Sequence, residues 1–298
     1  MGVYSSLLRP LLFRLDAEQA HELSIRWGSR LAVAALPLRR FLSVEDKRLA
    51  SEVCGIRFTN PIGLAAGYDK SGEAIDFLAG LGFGHIEIGS VSALASGGNP
   101  RPRLFRLPMD QAIVVHYGLQ NQGADAVAAR LRQSRRLVPL GINLVKTNRG
   151  LCAPADSSEQ IIEDYLYSVR RLMPLADYLT LNLSCPNTEM GRDFFADEAH
   201  VRAFLQALSE LHISCPVFLK ISPLAGLRGI EMMLQAADDF GFVSGFIFNL
   251  PPVKPDGLRT PREVWQNWPG AVSGRPVEPV LNQCIRQTYR RMDRRRYR

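Results

Sequence analysis

The run Asn182-Leu183-Ser184-Cys185-Pro186-Asn187-Thr188 sets one thiol among four side chains that donate or accept hydrogen bonds, beside a proline that stiffens the backbone. A thiol bracketed in this way can act as a base once its pKa is lowered, which makes Cys185 the candidate for proton transfer. Alone, Cys185 would read as a buried structural cysteine; Ser184 and Asn187 turn the reading toward chemistry. Further polar residues close apolar runs elsewhere: Ala66-Gly67-Tyr68-Asp69-Lys70, Glu87-Ile88-Gly89-Ser90, Asn143 followed by Lys146, then Lys220 and Asn249. Three amides (Asn143, Asn182, Asn187) and two lysines (Lys70, Lys220) suit a flat heterocycle with donors and acceptors on its edge and an anionic ring position, a description that flavin meets. Gly67 and Gly89 let the backbone approach such a ring, whereas no Gly-x-x-x-x-Gly-Lys or Gly-x-Gly-x-x-Gly pattern offers a triphosphate-binding or Rossmann site.

Those residues need elements that bring them together. From Glu52 onward, short β-rich runs alternate with amphipathic stretches, the pattern of a parallel sheet or barrel. The composition predicts strands at 62–66, 85–89, 140–144, 178–183, 217–221 and 245–249, each followed by a helix. The clearest helix follows the third strand: Ser157 with Gln160 fits a capping box, and Ile161, Ile162, Tyr165, Leu166, Val169 and Leu172 share one face. In a βα barrel the chemistry collects at the C-terminal ends of the strands, which is where the polar residues above fall. The sixth helix, near 277–292, runs into an arginine-rich end, so the count is below that of a closed barrel. The expected fold is therefore α/β, a βα (TIM-type) barrel lacking its last two βα units, at 46–298, behind an N-terminal helical extension at 1–45; an open doubly wound sheet is the alternative.

Composition bounds the rest. A chain of 298 residues, 46% apolar and 22% charged, has ordinary globular content. Five cysteines at wide spacing offer neither a zinc pattern nor a disulfide framework, so no metal is expected, and free thiols fit a reducing compartment. No run is long enough to span a membrane, and the N-terminus lacks the long apolar core and small-residue cleavage site of a secretory signal. A net charge of +7 collects towards the two ends rather than along one binding module, so nucleic acid is not expected as a partner. In the extension, Leu7, Leu8, Leu11, Leu12 and Phe13 crowd around Pro10, and Ala20, Leu23, Trp27 and Leu31 recur at helical spacing between arginines. Such helices either pack on the main domain or lie in a membrane interface. The terminal arginines read as a solvated helix end or as a grip on anionic surfaces.

Three runs carry a resemblance: Arg14-Leu-Asp-Ala-Glu-Gln-Ala-His21, Asn60-Pro-Ile-Gly-Leu-Ala-Ala-Gly-Tyr-Asp-Lys70 and Gly98-Asn-Pro-Arg-Pro-Arg-Leu-Phe-Arg-Leu-Pro108. With them the chain resembles the dihydroorotate dehydrogenases, specifically the membrane-associated, quinone-reducing class. The resemblance implies a βα barrel holding FMN, with Ala66, Gly67, Tyr68, Asp69, Lys70, Ser90, Asn143, Asn182, Lys220, Ser273 and Gly274 as FMN contacts. It implies Lys70, Asn182, Asn187 and Thr188 at the pyrimidine, and Cys185 as the base that takes a proton from C5 of dihydroorotate. It further implies pyrimidine biosynthesis, a quinone admitted past Arg106 and the first helices, and a peripheral position on the cytoplasmic face of a membrane. Cysteine stands at the base position where the quinone-reducing class usually has serine, Val115 stands where the family has an orotate-binding asparagine, and Leu250-Pro251 where it has Asn-Thr. Two further readings stay open: a diverged flavoprotein oxidoreductase with another substrate, and a truncated, non-catalytic relative.

Overall fold

The computed structural model describes residues 4–44, 46–150, 152–184 and 194–297. A π-helical stretch, Tyr4–Leu8, runs into helix α1 (Arg9–Leu12). Helix α2 (Ala17–Arg30) begins where the Asp16 carboxylate accepts the backbone N–H groups of Glu18 and Gln19, so its first turn is satisfied by its own cap. A third helix, α3 (Ala35–Leu42), lies where hydrophobic spacing predicts none: it is only eight residues long, and Pro37 sits in its first turn. Arg39 on α3 donates to the carbonyls of Ala79 and Phe83 at 3.0 and 3.2 Å, which ties the extension to the first barrel helix.

A hairpin, β1 (Ser51–Val53) and β2 (Ile56–Phe58), turns at Cys54 and Gly55, both in the left-handed region. Next come β3 (Gly63–Leu64), α4 (Ile75–Gly80), β4 (His85–Val91), β5 (Leu104–Leu107), β6 (Ala112–Val115), α5 (Ala124–Leu131) and β7 (Leu140–Leu144). They are followed by α6 (Ser158–Leu172), β8 (Tyr178–Asn182), α7 (Glu198–Ser209), β9 (Val217–Ile221), α8 (Gly226–Asp238) and β10 (Val243–Phe248). The chain closes with α9 (Arg262–Trp265), β11 (Ala271–Gly274) and α10 (Glu278–Arg291).

Six strands form one parallel sheet in chain order, β3-β4-β7-β8-β9-β10. A doubly wound sheet reverses its strand order at a switch point and this one does not, so the TIM-type progression holds and the open-sheet alternative does not. Helices cover the sheet, and Ile86, Ile88, Ile142, Leu144, Leu179, Leu181, Leu219 and Ile221 are buried; strands sealed in this way need no polar alternation. Among the described residues no ladder joins β3 to β10. The capping box of α6 is present in both halves, Ser157 accepting from Gln160 N–H and the Gln160 side chain from Ser157 N–H.

The structure adds a second sheet, β5-β6-β11, antiparallel throughout. Leu107, Val114, Trp265, Val272 and Val277 form a small core of their own beneath it. Its strands are four residues each and β11 lies far along the chain, so no local period announces it. At the C-terminus the basic tail is not uniformly solvated. Tyr297 is buried, donating to Asp238 Oδ1 at 2.7 Å, and Arg296 donates to the carbonyls of Ala237 and Phe240.

Candidate active site

At the C-terminal ends of the parallel strands lies a cavity of about 830 Å³. Its floor comes from the ends of β3, β4, β8, β9 and β10, one wall from the small sheet, another from α10, and His21 reaches in from α2. The cavity is lined by Ala66, Gly67, Tyr68, Lys70, Ser90, Asn182, Lys220, Ser273 and Gly274, nine of the residues expected at a cofactor. Asp69 and Asn143 are not in the lining. Asp69 is buried behind the 66–70 segment and accepts the N–H groups of Glu73 and Ala74, each at 2.8 Å, which holds the turn that presents Lys70. Asn143 is buried one layer below Ser90. Cys185, Asn187 and Thr188 lie outside the described residues.

The strand ends are wired together by hydrogen bonds. Ser90 Oγ donates to Asn143 Oδ1 at 2.5 Å, Asn182 Nδ2 donates to Ser90 Oγ at 3.2 Å, and Asn249 Nδ2 donates to Asn182 Oδ1 at 2.9 Å. Asn249 Oδ1 in turn accepts the N–H of Leu250, while Asn249 Nδ2 also reaches the carbonyl of Ser184 at 2.9 Å. Asn249 is therefore a buried part of the site even though Leu250 and Pro251 follow it where a polar pair is expected. Val115 lines the cavity with an apolar face.

Three residues that spacing alone does not single out shape the electrostatics: His21, Tyr117 and Arg103. His21 Nε2 lies 2.7 Å from the carbonyl of Tyr68, which can only accept, so Nε2 carries the hydrogen and Nδ1 accepts from Tyr117 Oη at 3.2 Å. Burial, then the charge of Lys70, lowers the His21 pKa to about 4, so the ring is neutral at physiological pH. Lys70 Nζ stands 3.7 Å from the centroid of the Tyr117 ring, and burial, then Arg103, lowers its pKa to about 8. Burial, then Glu18, raises the Tyr117 phenol, which stays protonated. Arg103 pairs with Glu18 of α2 at 2.8 Å, both side chains buried, and donates to the carbonyls of Gly97 and Asn99 and to Gln120 Oε1. The only early sign of this cluster is that His21 and Arg103 fall inside the two runs Arg14–His21 and Gly98–Pro108 that carry the resemblance. Arg106 is outside the cavity lining; it donates to the carbonyls of Leu15 and Leu12 and lies over the Phe13 ring, pinning the end of α1.

The model of the family described as dihydroorotate dehydrogenase matches residues 48–295. The chain belongs to that family. It is 41% identical over 290 residues to the dihydroorotate dehydrogenase (quinone) of Mycobacterium ulcerans (strain Agy99), covering 96% of this chain and 78% of that protein. To the protein of the same name from Roseiflexus castenholzii (strain DSM 13941 / HLO8) it is 39% identical over 293 residues, 95% of this chain and 77% of the relative. A solved structure, DHODH from Eimeria tenella in complex with ferulenol, superposes with a TM-score of 0.77 at 28% identity, covering 92% of this chain and 77% of that one. Dihydroorotate dehydrogenases are oxidoreductases and in general flavin-dependent, and the cavity meets what a flavin requires. Its volume is that of a cofactor pocket, roughly 300–1,000 Å³. Gly67 borders it at φ +109 with nothing within 4 Å of where a Cβ would stand, so the backbone itself forms the cradle.

Proposed function

We propose that this chain oxidises dihydroorotate to orotate, for pyrimidine biosynthesis, with FMN as its cofactor and a quinone as electron acceptor. The observation that supports it most is the convergence of Lys70, Ser90, Asn182 and Lys220, from the ends of four parallel strands, on one cavity in a chain that matches the family over 48–295. Ala66, Gly67, Tyr68, Lys70, Ser90, Asn182, Lys220, Ser273 and Gly274 would hold FMN, with Asp69 and Asn143 bracing two of them from behind. Bound there, FMN supplies the hydride acceptor. Lys70 offers its ammonium to the substrate carboxylate, and the apolar wall of Leu104, Ile113 and Val115 keeps bulk water off the ring. Cys185, which follows Ser184 in the sequence, would take the proton from C5 as its thiolate, and Asn187 and Thr188 would serve the pyrimidine. Residues 1–45 would form the quinone-access segment and 46–298 the FMN-binding barrel.

The extension exposes Leu7, Leu8, Leu11, Trp27, Val33 and Phe41, with Arg9, Arg14, Arg26 and Arg30 nearby. No described helix is long and apolar enough to cross a membrane. An exposed apolar surface rimmed by arginines fits attachment to the cytoplasmic face of a membrane, where a quinone is available. The test is to purify the chain, look for bound yellow flavin and add dihydroorotate without oxygen. Bleaching supports the reaction; colour without bleaching supports a diverged substrate, the reading that Val115 in the lining favours; a colourless protein that takes up no FMN supports a non-catalytic relative. Cys185→Ala should slow anaerobic bleaching by roughly 10²–10⁴-fold, and a full rate in that variant overturns the assigned base.

A further inference from the structure

Below the cavity floor the barrel interior holds a carboxylate that the proposed chemistry does not use. Glu87, on β4, is buried; its Oε1 accepts from Asn143 Nδ2 at 2.9 Å and its Oε2 from Thr180 Oγ1 at 3.0 Å, while the Tyr178 hydroxyl donates to it as well. A carboxylate that collects three donors is an acceptor with no ambiguity of direction. The amides and hydroxyl above it have no such fixed direction of their own, because an asparagine can be turned end for end and a serine hydroxyl can donate or accept. Since Glu87 takes the Nδ2 of Asn143, Asn143 must turn its Oδ1 upward, and Ser90 must spend its only hydrogen on that oxygen. Ser90 is thereby left facing the cavity as an acceptor, with one lone pair already taken by Asn182. The other end of the network is set independently, because the backbone N–H of Leu250 and carbonyl of Ser184 orient Asn249.

We infer that Glu87 is a positioning residue of the active site, fixing through Asn143 the direction of the Ser90 hydroxyl so that the floor offers a bound ring a lone pair at Ser90 beside donors at Asn182 and Lys220. The inference builds on the reading of the cavity as an FMN site, and it names what the floor recognises: a ring edge that presents an N–H to Ser90. Without Glu87 the Asn143 amide is free to turn over, Ser90 can swing its hydrogen into the cavity, and the floor loses its single pattern.

The test is FMN binding to the flavin-stripped 298-residue chain, followed by flavin fluorescence quenching, in wild type, Glu87→Gln, Ser90→Ala and the double variant. Glu87→Gln keeps the shape and can offer Asn143 a donor in place of an acceptor; it should weaken FMN binding about tenfold, or about 1.4 kcal/mol. If Glu87 acts through Ser90, the double variant binds no more weakly than the weaker single variant, and the visible band of FMN bound to Glu87→Gln is displaced as in Ser90→Ala. A purely structural glutamate predicts fold-changes that multiply and an unmoved band; that result, or unchanged binding in Glu87→Gln, overturns the inference. Should Glu87→Gln yield no soluble protein, Asn143→Ala cuts the same chain one link higher and must show the same failure to multiply with Ser90→Ala. Wild-type chain that binds no FMN overturns the flavin reading and this inference together, whereas tight wild-type binding with multiplying fold-changes overturns this inference alone.

Discussion

The ammonium of Lys70 stands 3.7 Å from the centroid of the Tyr117 ring, inside a cavity wall that also holds the neutral His21. An aromatic face offsets part of the cost of burying the cation, but burial and Arg103 still lower the Lys70 pKa to about 8. Lys70 is therefore charged below that pH and neutral above it. Activity on a carboxylate substrate, measured as kcat/KM, is expected to fall as pH rises through about 8, and the alkaline limb at that position should vanish in Lys70→Ala. Stability responds with the opposite sign. The native state sheds this proton from about pH 8 while the unfolded chain keeps it to 10.5, so Lys70 adds stability as pH rises through that window.

His21 gives an acid counterpart. Its native pKa is about 4 against 6.5 in the unfolded chain, so between those values the unfolded state binds the extra proton. Stability should therefore decline as pH falls from 6.5 towards 4, and His21→Gln should flatten that part of the curve in urea titrations run across pH.

The Glu18–Arg103 pair links the extension to the barrel, at 2.8 Å with side chains 5% and 4% exposed. Breaking one half leaves a buried charge uncompensated, so Glu18→Ala should destabilise by roughly 3–5 kcal/mol in denaturant unfolding. The same change loosens α2, which carries His21 one turn further on, so reduction of a water-soluble acceptor should survive better than reduction of a long-chain quinone.

Inside the barrel, a Cβ at Gly141 would stand 2.1 Å from Tyr178 Cζ. Gly141→Ala should displace that ring and cost roughly 1–3 kcal/mol of stability. Because Tyr178 also donates to Glu87, the loss of stability should be accompanied by weaker FMN binding; a fall in melting temperature with unchanged binding would count against the network.

On the extension, Phe41 is 87% and Val33 74% exposed. Replacing both with serine should reduce sedimentation with anionic vesicles while leaving the unfolding midpoint within about 0.5 kcal/mol of wild type, the range for surface substitutions.

The six parallel strands and the capping box of α6 were legible in the sequence because each depends on neighbours in the chain: buried apolar runs of five or so residues, and a serine three places before a glutamine. The strand-end positions of Lys70, Ser90, Asn182 and Lys220 were legible for the same reason, since barrel geometry puts whatever follows a strand onto one rim. The sheet β5-β6-β11 was not, because Ser273 pairs with Ile113 across a long stretch of intervening chain and no local period encodes such a partner. Neither were the roles of Asn143 and Asp69. The sequence by itself determined which residues reach the rim, through composition and spacing along each βα unit. Only the tertiary structure decided which of them face the cavity and which stand one layer behind, and it alone set His21 against Tyr117 and Glu87 beneath Asn143, because hydrogen-bond direction and burial depend on atoms that distant parts of the chain bring together.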